Sequence, residues 1–159
     1  MPHIEIQDFN EIIFHPEYNE ETLENILAII KLSRDASLNR YIQITCLPKE
    51  TSANIPESIL DENGLYIAGF GSADVDPDKP KNWDRQFCAG EYNAYGNTTG
   101  VFHGDYGSAL YAPYEINGKM KYVTTGILSF DVPCDVEHSP AVFTRVSYNL
   151  EWIKQNIKY

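Results

Sequence analysis

The chain is short of most features that assign a protein quickly. Basic residues are few: 12 Lys and Arg stand against 23 Asp and Glu, for a net charge of −11. A chain this acidic, with no cluster of cations, repels a phosphate backbone, so nucleic acid is excluded as a partner. Long apolar runs are absent as well. The longest, Ile26 to Ile30, falls far below the roughly 18 residues that a membrane helix needs. Cysteine is scarce: Cys46, Cys88 and Cys134 show no CxxC or Cys/His spacing that suggests zinc, and no other metal or cofactor is called for. Three thiols allow one internal disulfide at most. The N-terminal stretch MPHIEIQDFNEIIFHPEY has neither the basic start nor the apolar core of a signal peptide.

What is present reads as one mostly β domain of 159 residues, 43% of them hydrophobic. Residues 4–14 read as a strand. ILAIIKL, 26–32, is a dense β-branched run that suits a strand buried on both faces, or a short helix. YIQITCLP, 41–48, alternates and stops at Pro48. Residues 49–63 and 72–86 are polar and aperiodic. Short strands are expected at GLYIAGFG (64–71), FCAG, SALYAPY, KYVTTGILSF and AVFTRV, with Asn117-Gly118 as a hairpin turn. SYNLEWIKQNIKY is the clearest helix, with Ser147 as its expected cap and Leu150, Ile153 and Ile157 on one face. A barrel or sandwich closed by a terminal helix follows.

The order of these segments resembles the trypsin/chymotrypsin-like serine proteases. HPEYNEETLENILAIIKL is similar to the family's HPxYN…NDIALIKL, ITCLP to its xxCLP, and YIAGFG to its xxxGWG. FCAG matches outright, GDYGSAL resembles GDSGGPL, GILSF resembles GIVSW, and SPAVFTRVSYNLEWI resembles xPGVYTRVSxYxxWI. The resemblance implies an all-β fold, an incomplete trypsin-like β-barrel with a C-terminal α-helix. Residues 1–48 would be the remnant of a first barrel and the start of the linker, 49–63 the linker, and 64–159 a shortened second barrel with the helix.

The same resemblance implies loss of catalysis. The mechanism needs a serine, a histidine base and an orienting aspartate. The nucleophile position is Tyr106, a bulky phenol that is a poor acyl acceptor without a base beside it. The aspartate position is Ile26, which accepts no hydrogen bond. The histidine signature has no counterpart in this chain. Gly104 and Tyr106 retain the backbone positions of an oxyanion hole, and Asp105 matches the acid that pairs with a freed amine in activated members. The pocket positions are Gly100, Ser129, Phe130, Asp131 and Ala141. Side chains at 131 and 141 replace glycines and would narrow the pocket into a closed cleft. One family cysteine pair is replaced by Leu65 and Ala112, and none of the three remaining cysteines keeps its expected mate, so Cys88 and Cys134 would pair only after rearrangement.

The expectation is a secreted, non-catalytic protease homologue that binds or regulates a protein partner, with Asn97 as a glycosylation acceptor. The alternatives are a truncated product without independent function and, last, a serine-type endopeptidase. Half a barrel would leave strand edges for an upstream segment or a second copy to cover.

Overall fold

A computed structural model describes residues 6–49, 66–67, 82–89, 105–130 and 141–157. Asn117 and Gly118 both adopt positive φ, +54° and +71°. A two-residue loop of this hand matches the twist of the strands that it joins. It closes the longest hairpin among the described residues, between β5 (Ala109–Ile116) and β6 (Lys119–Phe130). Five strands form one antiparallel sheet in the order β3-β5-β6-β7-β4. Here β3 is Tyr66–Ile67, β4 is Gln86–Ala89 and β7 is Ala141–Arg145. The C-terminal helix, α1, runs from Leu150 to Asn156. The all-β fold with a terminal helix is therefore the one the sequence implied.

The core lies where β6 and β7 meet. Leu110, Leu128, Ala141 and Phe143 form one buried cluster with Phe87 and Ala89 against it. Phe130 and Val142 form a second, against which Leu23 and Cys88 pack. Gly126 lies beneath the first cluster. A Cβ there would fall 2.7 Å from the Phe87 ring and 2.9 Å from the Phe143 Cβ. The two phenyl rings stack at 5.7 Å, and the Arg145 guanidinium covers Phe87 at 5.1 Å. The missing side chain at 126 is what lets the rings lie this close to the strand.

Among the described residues a second sheet contains two strands, β1 (Phe9–Phe14) and β2 (Ala28–Leu32). Ile12 faces Ile30, and Glu11 faces Lys31 with an ion pair of 2.8 Å. Here the expectation for residues 26–32 is corrected. β2 is a strand, but Ile30 and Leu32 are exposed, as are Phe9 and Phe14 of its partner. One hydrogen-bonded neighbour cannot bury a strand on both faces.

Three smaller expectations also change. Residues 41–48 form no strand. The Asn39 side chain accepts the N–H groups of Tyr41 and Ile42, which bends the chain away from an extended path. Cys46 exchanges backbone hydrogen bonds with Tyr122 and Thr124 of β6, and the Thr45 hydroxyl beside it donates to Tyr122 O and accepts from the Thr124 hydroxyl. Ser147 does not cap α1. It is buried with its hydroxyl unpartnered, and Asn149 occupies the N-cap without a side-chain cap bond. Leu150 and Ile153 are buried, but Ile157 at the end of the helix is exposed. Cys88 is disulfide-bonded and Cys46 is free, while Cys134 lies outside the described residues.

Candidate functional site

The turn that contains Tyr106 is built by backbone. Ser108 N–H donates to the Asp105 carbonyl at 2.9 Å, and Gly107 N–H donates to Leu128 O at 2.9 Å. Gly107 has φ +84°, a left-handed conformation that glycine adopts without strain. Leu128 N–H returns a bond to Ser108 O at 2.9 Å, which fastens the turn to β6. Asp105 is buried and is not without a partner. Tyr106 is 41% exposed, so the position that the resemblance gives to a nucleophile presents a phenol to solvent.

The pocket positions that are described lie beside this turn. β6 and β7 pair Leu128 with Phe143 and Phe130 with Val142, leaving Ser129 as the extra residue of a β-bulge. A bulge re-aims its side chain. The Ser129 hydroxyl lies 2.7 Å from the Thr144 hydroxyl, one donating to the other, and both residues are buried. Phe130 and Ala141 are buried in the two core clusters. The structure thus buries Ser129, Phe130 and Ala141, each in packed interior. Gly100, Gly104, Asp131 and Asn97 lie outside the described residues. Among the described residues no group of three or more His, Cys, Asp and Glu could hold a metal.

Ile26 lies two residues before the β2 strand of the other sheet begins at Ala28. It follows Asn25, which is fully buried with φ +54°, and it precedes β2. The Asn25 side-chain amide donates to the Glu17 carbonyl at 2.9 Å. Around it runs a polar seam between the two-stranded ribbon and the rest of the molecule. The Arg85 guanidinium reaches Glu24 at 3.1 Å and Glu17 at 3.6 Å and lies over the Tyr148 ring at 5.2 Å. Gln86, fully buried, donates to Leu23 O and accepts Asn82 N–H, both at 3.0 Å. On the same side the His15 ring packs on Trp152 of α1, with centroids 4.7 Å apart. Sequence reasoning missed Arg85 and Gln86, whose partners lie about 60 residues away along the chain. The only local signal was their place directly before FCAG.

These features are a glycine turn seated on a bulged strand, a buried serine behind it, and a closing Trp-Ile helix. The model of the family described as Trypsin matches residues 3–153 of the chain. The chain belongs to the trypsin family. Phenoloxidase-activating factor 3 of Holotrichia diomphalia is 28% identical over 92% of this chain and 46% of its own length. The Spaetzle-processing enzyme of Drosophila melanogaster is 27% identical over 98% and 44%. Trypsin V-B of Rattus norvegicus is 28% identical over 94% and 63%. The chain therefore spans about half the length of these trypsin-family relatives. No helix among the described residues is long and apolar enough to cross a membrane.

Proposed function

We propose that this trypsin-family chain is a non-catalytic protease homologue that acts outside the cell by binding a protein partner. The turn at 105–108 carries the reading. It keeps the glycine geometry of a nucleophile loop and its bonds to β6, yet it offers Tyr106 instead of a serine. Ile26 at the aspartate position adds independent support, because an alkyl side chain cannot orient a histidine. The burial of Ser129, Phe130 and Ala141 supports a closed cleft. Two relatives are named for what they do to other proteins, activating phenoloxidase and processing Spaetzle, which supports a protein as the partner. The exposed apolar side chains of the ribbon, Phe9, Phe14, Ile30 and Leu32, support a cover supplied by an upstream segment or a second copy.

The test is a set of peptide amide substrates with Arg, aromatic and small residues before the cleaved bond. Turnover is expected to be about 10⁶-fold below that of an active homologue, the loss that follows removal of a triad nucleophile or base. Tyr106→Ser alone is expected to restore nothing, because Ile26 remains. Turnover that co-purifies with the chain and disappears in Tyr106→Phe would overturn the reading.

A further inference from the structure

The contact between His15 and Trp152 lies apart from the turn at 105–108. His15 is 8% exposed, and its Nδ1 accepts the backbone N–H of Glu17 at 3.1 Å. An imidazole nitrogen that accepts a hydrogen bond carries no proton, so this geometry holds only for the neutral ring. Protonation would set two donors against each other inside a buried contact. The ring joins the end of β1 to α1 through Trp152, and the seam through Arg85 runs alongside.

We propose that His15 is an acid-sensitive latch that fastens the β1–β2 ribbon to the C-terminal helix and releases it under mildly acidic conditions. Burial holds the His15 ring below its ordinary value of 6.5. The Glu17 carboxylate opposes this, and the Arg85 cation reinforces it. From the ribbon the other charge at the seam is Glu24, which is bound to Arg85. From α1 the neighbours of Trp152 are Glu151 and Lys154, paired with each other at 3.2 Å in solvent. Neither offers the ring a compensating charge.

The sign follows from proton counting. Between the lowered native value and 6.5 the released ring binds more protons than the latched one. The latch therefore holds above pH 6.5 and weakens as pH falls from 6.5 toward the native value. For one proton, the opening constant rises by up to about tenfold per pH unit within that window.

The experiment follows Trp152 emission and ribbon amide exchange in the full chain from pH 7.5 to 5.0, in a Trp83→Phe background. His15→Asn serves as the comparison, since its side-chain oxygen can accept the Glu17 N–H but does not titrate. The parent is expected to redden and to exchange faster below pH 6.5, while His15→Asn stays flat. Should the variant fail to fold, the His15 Cε1 proton shift of the parent decides the matter. A midpoint below 6.5, coincident with the Trp152 change, supports the latch. A midpoint at or above 6.5, an unchanged Trp152 signal, or equal acid response in His15→Asn would overturn it.

Discussion

Phe143→Ala is expected to cost about 3–5 kcal/mol, the range for deleting a buried phenyl group. Phe143 is 2% exposed and stacks on Phe87, and its cluster includes Leu110, Leu128 and Ala141. Its neighbours sit on β4, β5 and β6, strands that are themselves hydrogen-bonded in one sheet, so little collapse can fill the space. Where total stability is of order 5–15 kcal/mol, this loss leaves a marginal or unfolded chain. Urea denaturation checks it: the midpoint should fall steeply with little change in slope. A loss below about 1 kcal/mol would mean that the site repacks.

Gly126→Ala is expected to destabilise by about 1–3 kcal/mol, although it adds only one methyl group. The new Cβ would lie 2.7 Å from the Phe87 ring and 2.9 Å from the Phe143 Cβ. The first neighbour is the far end of a side chain and can swing. The second is fixed to the backbone of β7 and cannot. Phe87→Leu should accordingly rescue Gly126→Ala in part and never fully. The coupling is read from a double-mutant cycle in the same urea experiment. A neutral Gly126→Ala would show that β6 and β7 separate more easily than their pairing suggests.

Legibility in the sequence followed the range of the interactions. Asn117-Gly118 was readable because a two-residue hairpin needs two positive φ values, and few residue pairs supply them. The strands at 109–116, 119–130 and 141–145 were readable from local apolar content. Residues 26–32 show the limit. Their composition is that of a buried strand, but burial depends on how many neighbours the fold supplies, and the described residues supply one. Ser147 failed as a cap for a similar reason. The chain turns it inward, while the amide of Asn149 donates to Arg145 O instead of accepting at the helix start.

The candidate site was legible through the resemblance of short blocks in a fixed order. Periodicity alone would have passed over GDYGSAL. What the blocks could not convey is how tightly the turn is held to Leu128, or that Ser129 occupies a bulge and spends its hydroxyl on Thr144. The seam of Arg85, Gln86, Glu24 and His15 was invisible, since no local pattern pairs residues so far apart along the chain. It nonetheless joins the ribbon to the sheet and carries the acid sensitivity proposed for this molecule.

The central claim is that the chain belongs to a protease family and has no protease chemistry. The most direct measurement is intact-mass analysis of the native protein after exposure to a fluorophosphonate, which reacts covalently with an activated nucleophile of this family. The account predicts an unchanged mass under conditions in which an active trypsin relative is fully labelled. Stoichiometric labelling that is lost when the protein is first denatured would contradict it and would show that the folded chain holds a competent nucleophile.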